Sequence, residues 1–312
     1  MSHIQRVLDK AQRDGFVRRT APVAPAERLV AGQAAARPAS QERASALPPP
    51  APQSPPPAPT VVPNPLVAKV RTADPDAINP LLVAALAPES PAAEQYRALR
   101  TRIAHTENGR QYRTLLVTSP GARDGKTVTA VNLALTMAQE FHRRVLIVDT
   151  DLRKGRLHRF LNVPSSPGLC EVLTGEATLE EALVSLPAYH LTVLPAGGPT
   201  GLPAEMLGSA EMRRTLDLLR TQYDRIVLDT PPVVALADVG VLAPVADAVL
   251  MVVRAGRTSR PNIDRALREV HPAPVLGLVL NDVDDLALEY PGYRPDGSAT
   301  HRLRFPARRQ SA

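Results

Sequence analysis

Tryptophan is absent from this 312-residue chain, and aromatic residues make up only 3% of it. A core built from it must be aliphatic and alanine-rich, and little surface exists on which nucleic-acid bases could stack. There is a single cysteine, Cys170. That excludes an internal disulfide framework and fits a reducing compartment. In "GLCEVL" it reads as a small apolar core residue. No apolar run reaches the roughly 18–20 residues that a membrane span needs. The opening "MSHIQRVLDKAQRDG" lacks the apolar centre of a signal peptide. The expectation is a cytoplasmic protein with no transmembrane segment, recruited to the inner face of a membrane through its surface or a partner.

Proline is plentiful, at 33 residues, and unevenly spread. Runs such as "ALPPPAPQSPPPAPTVVPNP" cannot pack as a domain. The formal net charge is +6, and much of the excess lies at the ends: Arg6, Lys10, Arg13, Arg18, Arg19, then Arg302, Arg304, Arg308 and Arg309. Basic tails of this kind suit solvent or an anionic leaflet, at roughly 1 kcal/mol per basic residue near the surface. No nucleic-acid fold motif accompanies them, so nucleic acid is not expected as a partner.

Ile4, Val7, Leu8 and Ala11 recur at helical spacing, which predicts a short amphipathic helix within residues 1–19. Residues 20–88 read as a disordered Pro/Ala-rich linker, advancing roughly 3.1 Å per residue where polyproline-like. Residues 89–286 read as one domain and 287–312 as a flexible basic tail. Within the domain, "AAEQYRALRTRIAH" is helical. Six apolar runs then follow at 114–119, 144–150, 191–196, 225–230, 248–253 and 275–281. They are apolar on both faces, as buried parallel strands are. Helical stretches separate them, at 127–140, in pieces over 169–186, at 209–222, 238–244 and 259–270. This alternation predicts a doubly wound, mainly parallel α/β sheet. Ligands of such sheets bind at the carboxyl ends of strands. Polar clusters stand there: Ser119-Pro120-Gly121, Asp149-Thr150-Asp151, Asp229-Thr230-Pro231 and Asn281-Asp282.

The stretch "TLLVTSPGARDGKTVTAVN" reads strand, loop, helix, the context that makes a phosphate-loop motif credible. Backbone from Gly121 through Ala122, Arg123, Asp124 and Gly125 to Thr127 and Val128 would curl around phosphates at a helix N-terminus carrying roughly half a positive charge. Lys126 would reach the β- and γ-phosphates and the Thr127 hydroxyl would hold Mg²⁺. Pro120 replaces the first glycine of the general pattern, which is tolerable where its N–H is not needed. Gly121 and Gly125 remain for positive φ or close approach. The strand "VLIVD" ends in Asp149 with Asp151 and Arg153 beyond it, and "RIVLD" ends in Asp229. Mg²⁺ with a polyphosphate needs oxygen ligands, and an attacking hydroxyl needs a carboxylate to take or orient its proton. One carboxylate can face the metal and another the acceptor. Arg153 could brace phosphates or pair with Asp151.

Carried by "LIVDTDLR", "IVLDTPP" and "SPGARDGKT", residues from about 90 to 285 resemble the cytoplasmic kinase domain of bacterial tyrosine kinases (BY-kinases) that control exopolysaccharide or capsule synthesis. Glu94, Arg97 and Arg100 in "EQYRALR" match that family's E-x-x-R-x-x-R motif. The resemblance implies a P-loop NTPase (MinD/ParA-like) architecture, ATP and Mg²⁺ as cofactors, and phosphoryl transfer to tyrosine. It implies Lys126, Asp149 and Asp151 as catalytic residues, with Asp149 the base. It implies Thr127, Asp151 and Asp229 at the metal and Asn281 near adenine. It further implies a ring-like homo-oligomer joined through Glu94, Arg97 and Arg100, a membrane chain-length or polymerisation adaptor protein as partner, and a cognate tyrosine phosphatase. Tyr290 and Tyr293 are the phospho-acceptor candidates. Only two tyrosines stand in this tail where the family usually has a cluster, so an ATPase switch that assembles a membrane polymerisation complex without phosphorylating tyrosine is the alternative. Gly121 stands where DNA-partitioning relatives carry a signature lysine, which argues against that branch.

Overall fold

The six apolar runs form six mutually parallel strands. A computed structural model of the chain describes residues 70–73, 77–107, 111–140, 143–233 and 238–283. The expected helix within residues 1–19, and Tyr290 and Tyr293, lie outside them. The strands are β1 (Arg71–Thr72), β2 (Thr114–Thr118), β3 (Val145–Asp149), β4 (Val184–Leu186), β5 (Leu191–Leu194), β6 (Arg225–Asp229), β7 (Ala248–Arg254) and β8 (Val275–Asn281). They make one sheet in the order β1-β4-β5-β3-β6-β2-β7-β8. Only the β4–β5 pairing is antiparallel among the described residues. β4 falls where helical pieces were expected as far as residue 186. Val184, Ser185 and Leu186 alternate their burial and pair with Leu191–Val193, so sheet pairing overrides the local pattern.

Helices are α1 (Val83–Leu86), α2 (Pro91–Thr106), α3 (Lys126–Ala138), α4 (Leu157–Leu161), α5 (Leu169–Thr174), α6 (Leu179–Ala182), α7 (Pro203–Leu207), α8 (Ala210–Gln222), α9 (Asp238–Leu242) and α10 (Arg260–Glu269). Strand residues alternate between two buried clusters. Leu116, Leu146, Val148, Ile226 and Leu228 belong to one, and Leu115, Val117, Val145, Ile147 and Val227 to the other. Both faces of the sheet are therefore covered, which is why these runs carry no polar alternation.

The fold begins before residue 89. Ile78, Leu82 and Ala84, assigned to the linker from sequence, are buried. Asn132 on α3 explains how this segment is held. Its Oδ1 accepts the Ala84 N–H at 2.9 Å and its Nδ2 donates to the carbonyls of Leu81 and Val128, each at 2.9 Å. Gln139 donates to the Ala84 carbonyl at 3.0 Å. Covered thus by α1 and α2, every α3 residue from Thr129 to Ala138 is buried. The helix that starts at the phosphate loop is anchored on all sides.

Candidate active site

The strand order sets the site. β2 lies between β6 and β7, and β3 lies beside β6. Registration pairs Asp149 with Asp229 and Val117 with Asp229, so three strand ends finish level. Neighbouring strands are roughly 4.8 Å apart, so the two carboxylate motifs and the loop after β2 must meet.

That loop is shaped by its own carboxylate. Asp124 is buried, and its Oδ2 accepts the Gly121 N–H at 2.9 Å while its Oδ1 accepts the Thr258 hydroxyl at 3.1 Å. Ser119 donates to the Gly121 carbonyl at 2.7 Å. The left-handed residues are Gly125 at φ +96° and Arg123 at φ +68°. Gly121 is not among them, so of its two expected uses the positive φ is corrected: Arg123 carries the second left-handed turn, while a Cβ at Gly121 would lie 3.4 Å from Asp124 Oδ2. At Gly125 the glycine is required twice over, because a Cβ there would lie 1.9 Å from Asn281 Nδ2. Asn281 itself donates to the Asp124 carbonyl at 3.0 Å. In this structure it braces the loop from behind. Arg254 extends that brace, donating to Asp282 at 2.6 Å and to the Arg123 carbonyl at 3.4 Å. Sequence reasoning overlooked Arg254, which ends β7 one residue beyond the expected run 248–253, and Thr258, which lies between that strand and α10. A cavity of about 250 Å³ lies against the loop, lined by Gly121–Asp124 and by Arg254, Arg257, Thr258 and Asn262.

Lys126 starts α3 and points at the carboxylates. Its Nζ is 3.8 Å from Asp151 Oδ2, 4.0 Å from Asp229 Oδ1 and 3.3 Å from the Thr127 hydroxyl. Asp229 is only 1% exposed, and its Oδ1 has no hydrogen-bond partner among the described residues. Burial pushes its pKa up to about 6, against the opposing pull of Lys126 and Thr127. Asp149 is fully buried and its proton affinity is raised well above the usual carboxylate range, first by burial and then by Asp229. Both its oxygens hold backbone: Oδ1 accepts from Asp151 and Oδ2 from Leu157, each at 3.1 Å. Asp151 in turn accepts the Lys154 N–H at 3.0 Å.

A buried carboxylate oxygen without a donor, beside a lysine and a threonine hydroxyl, is a place for a cation. The residues therefore fit Mg²⁺ held jointly by protein and nucleotide oxygens. No three His, Cys, Asp or Glu side chains converge to hold a metal by themselves among the described residues.

Arg153 does not pair with Asp151. It makes a two-pronged ion pair with Asp238 on α9, at 3.0 and 3.2 Å, and Asp238 is completely buried. The partner is 85 residues away, and no local pattern marks it. Of the ring-motif residues, Arg97 pairs with Glu94 at 2.7 Å on the same helix. Arg100 donates to the Thr136 carbonyl at 2.8 Å and pairs with Glu140 at 3.2 Å, tying α2 to α3.

A family model described as an AAA domain matches residues 121–272. Tyrosine-protein kinase YwqD of Bacillus subtilis is 34% identical over 202 residues, which is 64% of this chain and 85% of that protein. The putative tyrosine-protein kinase EpsB of Ralstonia nicotianae is 34% identical over 232 residues. That match covers 72% of this chain but only 29% of EpsB, so the chain spans under a third of that relative. Among solved structures, the kinase domain of the Escherichia coli tyrosine kinase ETK superposes with a TM-score of 0.64 at 28% identity, covering 69% of this chain and 84% of that one.

Proposed function

This chain belongs to the bacterial tyrosine-protein kinases, and on that premise we propose that it transfers the γ-phosphoryl group of ATP to a tyrosine hydroxyl. The observation that carries the proposal is the convergence of Lys126 on Asp151 and the unsatisfied, buried Asp229. When bound, Mg-ATP supplies the phosphoryl group, with its charge already partly neutralised. Backbone N–H groups from Ala122 to Thr127 would donate to phosphate oxygens at the start of α3, the Gly121 N–H being held by Asp124. Lys126 places its charge between two phosphates. Thr127, Asp151 and Asp229 would hold the metal. Asp149 takes the phenolic proton, a task favoured by its raised proton affinity. Because Asp149 is buried under the 151–157 loop, that loop must shift for an acceptor to reach it. The proposed process is exopolysaccharide or capsule synthesis and its chain length, with a membrane adaptor protein as activator and a ring-like self-assembly. Asn281 supports the phosphate loop in this reading and borders the nucleotide.

The test is to incubate the full chain with Mg-ATP and map phosphotyrosine by mass spectrometry. Phosphate on Tyr290 or Tyr293 is expected, lost when both become Phe. Lys126→Met should lower turnover by roughly 10²–10³-fold, the scale of removing one electrostatic stabiliser. Its melting temperature should fall at neutral pH, since Asp151 and the buried Asp229 lose the charge that offsets theirs, so turnover is compared well below that temperature. ATP hydrolysis with no phosphotyrosine anywhere would replace the kinase by an ATPase switch.

A further inference from the structure

A second cleft, of about 480 Å³, opens beside Asp151. Its wall carries Arg153, Lys154, Arg156 and Arg159, with Gly155 and Gly197 between them, and no acidic residue lines it among the described residues. Arg153 is committed to Asp238. Lys154, Arg156 and Arg159 make no ion pair among the described residues, and all three are exposed.

These cations are tied to the carboxylates. Asp151 accepts the backbone N–H of Lys154, and Asp149 accepts that of Leu157, so the basic loop hangs on both aspartates. Gly155 lets it lie flat. A Cβ there would sit 2.7 Å from Asp149 Oδ2 and 2.6 Å from Ala196 Cβ. An anion bound in the cleft would therefore hold, or pull, the loop that covers Asp149.

Three uncompensated cations at one place call for an anionic partner. The chain supplies one by its own sequence. Asp284, Asp285 and Glu289 precede Tyr290, and Asp296 follows Tyr293. Extended chain spans at most roughly 3.3–3.6 Å per residue, so acids one to six positions from a tyrosine extend up to about 20 Å from it, and the cleft is lined from Leu152, the residue after Asp151, onward. We propose that this cleft docks acidic residues flanking the acceptor tyrosine, making the protein selective for tyrosines in acidic peptides. The proposal rests on the kinase reading for its use but not for its binding test.

The probe is a fluorescent peptide of residues 283–297, titrated into the full-length protein and followed by anisotropy. A second peptide replaces Asp284, Asp285, Glu289 and Asp296 by their amides. The acidic peptide should bind about tenfold more tightly, the combined effect of several exposed charge pairs, and the advantage should shrink from 50 to 300 mM salt, as screening lengths at about those strengths require. Arg156→Glu with Arg159→Glu should remove the advantage and raise the peptide KM, while affinity for a fluorescent ATP analogue stays within twofold. Equal binding of the two peptides by the unaltered protein overturns the proposal, whether or not the double variant folds. So does a polyuronate oligosaccharide binding in a variant-sensitive way when the peptide does not. Variant-sensitive peptide binding without phosphate transfer upholds the cleft and removes the kinase reading instead.

Discussion

Asp229 concentrates the electrostatic cost of the site. Folding takes this carboxylate out of water and leaves one oxygen without a donor. Its folded pKa, about 6, lies above the 3.8 of an ordinary aspartate. Between those two pH values the folded chain binds more protons than the unfolded one, so stability falls as pH rises through the window. Above about 6 the penalty is fully present. Asp149 is shifted in the same direction and adds to it. Asp229→Asn should therefore raise stability at pH 7.5 by on the order of 1–3 kcal/mol, and the gain should fade as pH drops toward 4. Melting curves of both proteins across that range check this. A gain that grows at acidic pH would mean that the carboxylate is not buried as a charge. Divalent cation with nucleotide should raise the melting temperature of the parent more than that of Asp229→Asn, because the cation repays a penalty that only the parent carries.

At the scale of elements, the phosphate loop is held from behind and its helix from above. Asp124, Thr258, Asn281 and Arg254 fix the loop from the β7 and β8 side. Asn132 fixes α1 across α3. Removing it in Asn132→Ala leaves the Ala84 N–H and the Leu81 carbonyl without that partner. Orphaning the buried Ala84 N–H costs about 1–3 kcal/mol, and the more exposed Leu81 carbonyl less, so the variant should melt several degrees lower. Residues 81–87 should also exchange their amide hydrogens faster while the sheet stays protected. Unchanged protection at Ala84 would show that α1 does not depend on this side chain. No helical periodicity announced α1, since four residues are too few to display one. The buried Ile78, Leu82 and Ala84 stand in a sequence whose prolines made it read as linker.

At the scale of the whole molecule, α2 presents a Glu94–Arg97 pair outward while Arg100 turns inward to Thr136 and Glu140. An i,i+3 pair this exposed adds little to the monomer's stability. If these residues join subunits, Glu94→Ala should shift the sedimentation profile toward monomer with melting unchanged and nucleotide affinity within twofold. Arg100→Ala should also lower the melting temperature, because it cuts the link between α2 and α3. Sedimentation of the two variants beside the parent, with and without ATP, separates assembly from folding. Identical profiles for Glu94→Ala and the parent would remove that residue from any interface.

What the sequence by itself determined is the set of features that repeat locally. Strand runs apolar on both faces are buried, and the carboxylates at their carboxyl ends stand at the crevice where such sheets bind ligands. The positions of Lys126, Thr127, Asp149, Asp151 and Asp229 followed from that, as did the alternation of strands and helices. Strand order, and everything that depends on partners far along the chain, came from tertiary structure alone. The Arg153–Asp238 pair spans 85 residues, Asn281 reaches Asp124 across 157, and Ala84 meets Asn132 across 48. No periodicity records such meetings, because a hydrogen bond between distant residues leaves no spacing to read. The proton affinities of Asp149 and Asp229 belong to the same class. They depend on how completely neighbouring strands and the 151–157 loop exclude water, and that is a property of packing.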